Sequence, residues 1–188
     1  MRIIAGEARG TKLETPGEAD TRATLARVKE NFFNAIHFEI EGAKVLDLFA
    51  GSGQLGLEAL SRGARECVFV DNSAACVEII RRNAQKAKLY DRCNIYGLEY
   101  SEYLSSVRKR REFEKFDIIF LDPPYSVDMG GVVKRLVLHG LAADGGMIIC
   151  ESGSAFELGG ELAERVSGTR VYKYGRVLIT VLNIGIGE

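Results

Sequence analysis

Two short segments of the chain contain residues whose types and spacing could carry out chemistry. The first spans residues 45–56 and reads Val-Leu-Asp-Leu-Phe-Ala-Gly-Ser-Gly-Gln-Leu-Gly, an apolar run followed by a G-x-G-x-x-G pattern. Glycines let the backbone approach a ligand closely, and Asp71, 20 residues after Gly51, could accept hydrogen bonds from ribose hydroxyls. The pattern indicates a nucleotide-like ligand, although a tight strand-to-helix turn without a ligand would have the same residues.

Asp47, which precedes the glycines, bears on the kind of ligand. The glycine pattern and Asp71 alone fit a nicotinamide cofactor as well as a methyl donor. A carboxylate beside the turn is poorly placed next to a pyrophosphate and well placed to neutralise a cation. S-adenosylmethionine carries a sulfonium and an ammonium group, so Asp47 favours that ligand.

The second segment, Asp122-Pro123-Pro124-Tyr125, directly follows an apolar run. Two adjacent prolines fix the backbone and remove two N–H donors, so the loop presents carbonyl oxygens with little flexibility. The Asp122 carboxylate and the Pro123 carbonyl could accept hydrogen bonds from an exocyclic amine, while Tyr125 could stack on the base. A rigid proline turn at a strand end is the alternative. Together, the two segments predict methyl transfer to an amino nitrogen.

The elements that position these segments follow from hydrophobic periodicity. Apolar runs alternate with amphipathic stretches after Gly42, which predicts an α/β fold with a mostly parallel, doubly wound sheet and helices on both faces. The predicted strands are 44–49, 67–70, 94–96, 116–121 and 147–150, and the predicted helices are 53–62, 74–87, 101–110 and 131–139, with one more from residue 24 and a short one near 156–162. A C-terminal antiparallel hairpin is predicted from 165–173 and 176–183. The first twenty residues indicate an arm or hairpin rather than a core element.

Composition sets broad limits. The 188 residues, 46% of them hydrophobic, fit one domain, 1–188, in which 1–41 form an N-terminal arm and helix and 42–188 the core. No apolar run approaches the roughly 20 residues of a membrane span, and the N-terminus lacks the apolar core of a signal peptide, so we expect a cytoplasmic protein. Four cysteines without a CxxC pair, and only two histidines, predict buried free thiols rather than disulfides or a metal site.

The formal net charge of −1 provides no overall attraction to nucleic acid, so RNA binding would depend on a local patch. Basic residues cluster at 81–92 and at 108–115, where a solvated helix face and a helix end are the simpler explanations. The N-terminal residues Arg2, Arg9 and Lys12 are partly offset by Glu7 and Glu14. Composition alone therefore does not identify the partner.

Further segments extend the two motifs into a resemblance over nearly the whole chain. They are Arg-Ile-Ile-Ala-Gly at 2–6 with Arg-Gly at 9–10, Arg22, Arg-Val-Lys-Glu at 27–30, Phe-Asn at 33–34, 46–53 with 55–59, and 122–125. This combination resembles the RsmD-like family of bacterial small-subunit (16S) ribosomal RNA guanine-N2 methyltransferases, within the Rossmann-like class I S-adenosylmethionine-dependent methyltransferases. Many amino-methylating enzymes share the proline motif, and the N-terminal segments narrow the choice to this family.

The resemblance implies a role for each matched position. Contacts to the methyl donor would come from Asp47, Ala50, Gly51, Ser52, Gly53, Asp71, Asn72, Glu99 and Tyr100, with Asp71 at the ribose and Glu99 and Tyr100 at the adenine. The target guanine would lie against Asp122, Pro123, Pro124 and Tyr125, and the RNA against Arg2, Arg9, Arg22 and Arg27. The sequence departs from the family pattern at Glu99, usually aspartate, and at Ala23 and Ala26, usually proline and aspartate.

The implied partner is ribosomal RNA, and the weak net charge favours a partly assembled small subunit whose proteins add contacts. We expect a monomer that needs no metal and contacts no membrane. Three alternatives use similar motifs: an amino-methyltransferase acting on DNA adenine or protein glutamine, a nicotinamide-dependent oxidoreductase, and a non-catalytic RNA-binding assembly factor. Methyl incorporation and donor binding distinguish them.

Overall fold

The computed structural model describes residues 1–16, 22–109, 113–124, 126–156, 158–175 and 177–185, with only the backbone described for 22–28. The chain divides into two compact units, Met1–Tyr103 and Leu104–Glu188. Each unit is an α/β assembly. Within the described ranges, no helix is long and apolar enough to cross a membrane.

The first unit consists of three strands and their associated helices. Its elements are α1 (Arg22–Ala35), α2 (His37–Ile40), β1 (Lys44–Asp47), α3 (Gln54–Ser61), β2 (Glu66–Val70), α4 (Ala74–Ala87), a 3-10 turn (Tyr90–Arg92), β3 (Cys93–Tyr96) and the start of α5 (Tyr100–Arg108). β2 pairs in parallel with β1 on one side and with β3 on the other. The predicted parallel arrangement is confirmed here.

Local signals account for the helix boundaries in this unit. The Ser73 hydroxyl accepts a hydrogen bond from the Cys76 N–H and caps the start of α4. The helix ends where Lys88 adopts a left-handed backbone conformation, φ 60°. The predicted range of 74–87 is therefore confirmed. By contrast, β1 ends at Asp47 rather than at residue 49, because the chain turns immediately after that carboxylate.

The N-terminal segment is part of the core, which corrects the expectation of an arm outside it. It forms a hairpin-like pair, with an antiparallel bridge between Arg2 and Lys12, and Ile3 is completely buried. The Glu58 carboxylate on α3 accepts hydrogen bonds from the N–H groups of Ile4 and Ala5 at 2.7 and 3.1 Å. These long-range bonds hold the segment against α3, so its short apolar start is removed from water.

The second unit has four strands. Its elements after α5 are β4 (Phe116–Leu121), α6 (Met129–Leu138), β5 (Ala142–Ser152), α7 (Glu161–Glu164), β6 (Val166–Tyr174) and β7 (Val177–Ile184). β4 and β5 are parallel, whereas β7 is antiparallel both to β5 and to β6. The predicted C-terminal hairpin is confirmed.

Two predictions for this unit need correction. The short helix lies at Glu161–Glu164 rather than near 156–162, and it has a single turn. β5 begins at Ala142, not at residue 147, because Ala142 already pairs with Phe116 of β4. An irregularity then shifts the register, and pairing resumes between Ile118 and Met147. The Asp144-Gly145-Gly146 sequence at that irregularity has a loop-like composition, which hides the first part of the strand.

Candidate active site

The glycine turn after β1 is held in place by backbone hydrogen bonds within the first unit. The Ala50 N–H donates to the Val70 carbonyl at the end of β2, and the Gly53 N–H donates to the Ala50 carbonyl, at 3.1 and 2.7 Å. Gly53 is the N-cap of α3 with φ 77°, a left-handed conformation that favours glycine. A side-chain Cβ there would also lie 3.3 Å from Ile80. The turn therefore requires glycine for both its conformation and its packing.

Asp47 belongs to the support of this turn. It is 1% exposed, and its Oδ2 accepts a hydrogen bond from the Gly56 N–H at 3.0 Å. A carboxylate at the first turn of a helix also interacts favourably with the helix dipole. Asp47 thus stabilises the start of α3 and places a negative charge beside the glycine turn.

Asp71 connects the end of β2 to the glycine turn. One carboxylate oxygen accepts from the Gly51 N–H at 2.8 Å, and the other accepts from the Ser73 N–H at 2.9 Å. Each oxygen of a carboxylate can accept a further hydrogen bond, and Asp71 is half-buried rather than enclosed. Asn72, next to it, is exposed. This geometry leaves Asp71 able to accept from a ribose diol.

Glu99 and Tyr100 follow β3. The Glu99 carboxylate accepts from the Ser101 N–H at 2.6 Å and so caps α5. The Tyr100 ring lies 5.2 Å from the Phe49 ring, centroid to centroid, with the planes tilted by 48°. Both rings are half-buried. A flat aromatic ligand such as adenine would find an apolar surface on this pair.

Asn83 is a component of this region that the sequence reasoning missed. Its Nδ2 donates to the carbonyls of Ser52 in the glycine turn and Glu14 in the N-terminal segment, while its Oδ1 accepts from the Glu14 N–H. The residue is fully buried on α4. The available signal was a polar residue three positions after Ile80, on the apolar face of a predicted amphipathic helix.

The proline loop lies in the second unit, directly after β4. Asp122 and Pro124 are exposed and Pro123 is half-buried, whereas the predicted Tyr125 lies outside the described residues. A cavity of about 380 Å³ adjoins the loop. Its lining contains three carboxylates, two hydroxyls and several apolar groups: Asp122, Pro123, Pro124, Val127, Asp128, Met129, Gly130, Glu151, Ser152, Gly153, Ser154, Phe156 and Val177.

Glu151 in this lining was not predicted. It directly follows the buried run Met147–Cys150, near the carboxyl end of β5. Ligands of open α/β sheets bind beyond the carboxyl ends of the strands, where Asp71 follows β2 and Asp122 follows β4. The same rule, applied to the last parallel strand, would have selected Glu151.

The structure describes the side chains of only some of the predicted RNA-binding arginines. Arg2 and Arg9 are exposed on the N-terminal segment. Arg22 and Arg27 belong to α1, but their side chains lie outside the described part of the structure. The basic stretch at 108–115 is also only partly described, since 110–112 are outside it.

The thiols and the possible metal ligands can be assessed in the described residues. In the described ranges, no group of three or more His, Cys, Asp or Glu side chains could hold a metal ion. All four cysteines are free, with Cys67 and Cys150 buried and Cys76 and Cys93 half-buried. Burial raises the pKa of every one of these thiols, to about 12 for Cys93. Protonated thiols are poor nucleophiles, so none is suited to covalent catalysis.

Comparison with known proteins identifies the family. The family model described as "Conserved hypothetical protein 95" matches residues 1–183. A Bacillus subtilis protein named "Putative rRNA methyltransferase YlbH" is 35% identical over 93% of this chain and 94% of its own. "Ribosomal RNA small subunit methyltransferase D" of Escherichia coli is 33% identical over 81% of this chain and 74% of its own. The chain belongs to this methyltransferase family.

Structural similarity agrees with the membership. The solved structure titled "Putative methyltransferase yhhF from Escherichia coli" covers 98% of both chains with a TM-score of 0.84 and 28% identity. The predicted family, the Rossmann-like fold class, the methyltransferase class and S-adenosylmethionine as methyl donor are thereby confirmed. The roles of individual site residues remain predictions.

Proposed function

We propose that this methyltransferase transfers a methyl group from S-adenosylmethionine to the exocyclic N2 of a guanine in small-subunit ribosomal RNA. The observation that carries the proposal is the cavity of about 380 Å³ beside Asp122, whose lining includes the carboxylates of Asp122, Asp128 and Glu151. The names of the relatives, which specify small-subunit ribosomal RNA, support the substrate class.

The chemistry of the cavity favours guanine over adenine. The Watson–Crick edge of guanine presents an N1–H donor beside the N2 amino group, so a carboxylate can accept from N1–H while Asp122 and Pro123 accept from the two N–H bonds of the amino group. Adenine presents an amino donor next to the N1 acceptor, which a carboxylate repels. Glu151, on the strand next to the proline loop, is the residue that we assign to this recognition.

The groups around the glycine turn fit the methyl donor. Asp71 retains acceptor capacity for two ribose hydroxyls, and the Phe49–Tyr100 pair provides an aromatic surface. The negative charge of Asp47 beside the turn complements a cationic ligand. S-adenosylmethionine, when bound, supplies a methyl group on a positively charged sulfur. Glu99, engaged with its own helix, is assigned a supporting position at the adenine rather than a strong hydrogen bond.

The proposed role of the proline loop is orientation. The Asp122 carboxylate and the Pro123 carbonyl accept hydrogen bonds from the target amino group and direct its nitrogen towards the methyl group. Asp122 takes up a proton only as the N–C bond forms, because the nitrogen becomes acidic at that point. Orientation of this kind supplies about 7 to 11 kcal/mol in favourable cases. No covalent enzyme intermediate is required.

The remaining assignments follow from this function. Because the family model spans residues 1–183, we propose that 1–188 works as one methyltransferase domain. Arg2 and Arg9, which are exposed, contact the RNA backbone together with Arg22 and Arg27. A partly assembled small subunit in the cytoplasm is the proposed substrate, because a chain with a net charge of −1 needs contacts beyond bare phosphate attraction. The enzyme is proposed to act as a monomer.

Methyl incorporation tests the proposal directly. Labelled S-adenosylmethionine is supplied with naked small-subunit ribosomal RNA or with purified subunits that lack the modification, and the nucleosides are then analysed. We expect N2-methylguanosine, formed faster on subunits. N6-methyladenosine as the product would refute the guanine assignment, and equal rates on naked RNA would refute the assembled particle as substrate.

The division of roles is tested with Asp122→Ala. We expect loss of turnover with donor affinity nearly unchanged, because the Asp122 carboxylate contacts the target and not the donor. Asp144→Ala is the matched control, since Asp144 is an exposed carboxylate that forms an ion pair with Lys115. Equal loss of donor binding and turnover in Asp122→Ala would contradict the assignment.

A further inference from the structure

The C-terminal hairpin of the second unit has a basic edge that the proposed reaction does not use. Its strand β6 lies at the edge of the sheet, because β7 is the one described strand that pairs with it. Although the whole chain has a net charge of −1, residues 165–187 contain no Asp or Glu and four basic residues. These are Arg165, Arg170, Lys173 and Arg176. The hairpin therefore attracts anions locally.

Strand pairing brings two tyrosines of β6 onto the face of the sheet that borders the cavity beside the proline loop. Directly opposed residues in antiparallel strands point to the same face. Glu151 of β5 is opposed by Ile179 of β7, which is opposed in turn by Tyr172 of β6. Two positions before Ile179, Val177 is opposed by Tyr174, and Val177 lines the cavity together with Glu151. The two tyrosines thus continue a surface that begins at the cavity.

The dimensions of this surface suit a nucleic-acid strand. Neighbouring strands are about 4.8 Å apart, so Tyr172 lies roughly 10 Å across the sheet from Glu151. Arg170 shares the same face, because residues two positions apart point the same way and are about 7 Å apart along a strand. Both tyrosines are half-buried, Arg170 is exposed, and Arg170 forms no ion pair within the described part of the chain. The surface therefore offers two aromatic rings and then a cation along one line.

We propose that this β6 track, Arg170, Tyr172 and Tyr174, binds the single-stranded RNA that flanks the target nucleotide. The two rings stack on neighbouring bases, and the Arg170 guanidinium contacts a backbone phosphate. Stacking tolerates any base, because every base has a flat π face. The β6 track therefore contributes affinity, while the choice of guanine belongs to the cavity. It rests on the proposed function for its RNA ligand and holds whichever nucleotide of that RNA is methylated.

The composition of this edge favours RNA over an added peptide strand. Charged side chains on an edge strand prevent pairing with another chain, and charges of either sign serve that purpose. Here every charge from 165 to 187 is positive, and residues 170–174 read Arg-Val-Tyr-Lys-Tyr. Basic side chains interleaved with aromatic rings are the usual components of single-strand binding surfaces. An RNA strand uses both features, whereas a peptide strand adds to a sheet edge through backbone hydrogen bonds.

The test measures RNA binding without methyl transfer. The probe is a labelled single-stranded RNA nonamer with one central guanine among adenines, and its affinity is measured by fluorescence anisotropy without the methyl donor. We expect Tyr172→Leu to weaken binding about 5- to 150-fold, the range for loss of one stacked base, and Tyr172→Phe to retain it. Arg170→Gln should reduce the slope of log affinity against log salt concentration by about 0.7, the value for one phosphate of a single strand.

Arg165→Gln is the matched control for Arg170→Gln. Arg165 is also an exposed arginine, but it precedes β6 at the end opposite to Tyr174 and follows Glu164 of α7 directly. Its substitution should leave both the affinity for the nonamer and the salt slope unchanged. An equal effect of the two substitutions would indicate general charge attraction and would overturn the β6 track.

Other outcomes also decide against the β6 track. No binding of the nonamer by the wild type, or equal binding by the wild type and Tyr172→Leu, excludes stacking on these rings. Equal affinity for a duplex of the same sequence excludes it too, because paired bases do not expose their faces. Slower methylation of small subunits by Tyr172→Leu, with unchanged nonamer binding, replaces RNA with a ribosomal protein as the partner.

Failure of the β6 track and failure of the proposed function are distinguishable. If the wild type forms N6-methyladenosine and Tyr172→Leu still weakens nonamer binding, the guanine assignment fails and the β6 track stands. If the wild type forms N2-methylguanosine and the variants bind the nonamer normally, the β6 track alone fails. Should Tyr172→Leu not fold, Arg170→Gln still decides through the salt slope, since Arg170 is exposed.

Discussion

Asn83 on α4 is fully buried, and its side-chain amide makes three hydrogen bonds, so Asn83→Ala is expected to lower both stability and donor affinity. Two of the bonds join Glu14 of the N-terminal segment, and the third holds the Ser52 carbonyl of the glycine turn at 2.9 Å. The substitution removes the partner of the Glu14 N–H and of the Glu14 and Ser52 carbonyls. Loss of the Asn83 amide therefore affects both the N-terminal segment and the glycine turn, which are distant from it in sequence.

The magnitude follows from these contacts. A buried hydrogen bond contributes about 1 kcal/mol net, so three bonds predict a loss of about 3 kcal/mol in the free energy of unfolding. For a chain of this size, 1 kcal/mol shifts Tm by about 2 to 4 °C, which gives a decrease of roughly 6 to 12 °C. Release of the Ser52 carbonyl should also weaken donor binding roughly tenfold, the equivalent of about 1.4 kcal/mol.

The assay combines thermal unfolding with calorimetric titration of S-adenosylhomocysteine. Asn94→Ala is the matched control, because Asn94 is an exposed asparagine on β3 whose side chain donates to Glu66. This control should stay within about 0.5 kcal/mol of the wild type. An Asn83→Ala protein as stable as Asn94→Ala would refute the reasoning. Unchanged donor affinity with lowered stability would show that the Ser52 contact does not shape the donor site.

Two further predictions concern packing and pH. Gly6→Ala should destabilise the protein by more than about 3 kcal/mol, because its Cβ would lie 1.7 Å from the Ser61 carbonyl oxygen. Gly10 also has a positive φ, but a Cβ there would meet no atom within 4 Å. Gly10→Ala should therefore cost only about 1 to 2 kcal/mol. Equal losses in chemical denaturation would contradict this. Burial raises the Cys93 pKa from 9.0 to about 12. Between these pH values the folded state keeps a proton that the unfolded state releases. The free energy of unfolding should therefore fall by up to about 1.4 kcal/mol per pH unit between pH 9.0 and about 12. Cys93→Ala should remove that part of the slope, and identical slopes in urea titrations at several pH values would exclude it.

Local sequence signals were sufficient for much of the fold and for the positions of the two motifs. The amphipathic pattern located α4 at Ala74–Ala87. Alternation of strands and helices predicted the parallel pairing of β1, β2 and β3, since such connections have a preferred hand and return to the same sheet. The spacing from Gly51 selected Asp71, and two adjacent prolines after an apolar run selected Asp122. These inferences depend on residue types at short spacing along the chain.

Polar contacts between distant segments could not be predicted in this way. The hydrogen bond that the buried Asp47 carboxylate accepts from the Gly56 N–H was not predicted, and its predicted role at the methyl donor stays a prediction. The N-terminal segment was expected to be an arm or hairpin outside the core, and the Glu58 carboxylate, 54 residues away from Ile4, holds it in the core by accepting its N–H groups. Periodicity reports which face of an element is apolar, but it does not report which buried partner that face will meet.

The sequence by itself determined the family, the order of strands and helices, the glycine turn and the proline loop, because each depends on residue types at short spacing. Only the tertiary structure decided which side chains support those motifs. Asn83 meets Glu14 across 69 residues, and Lys29 meets Gln54 across 25. Such pairs form because close packing of whole elements brings their side chains within hydrogen-bond distance. No pattern within a single element encodes that proximity.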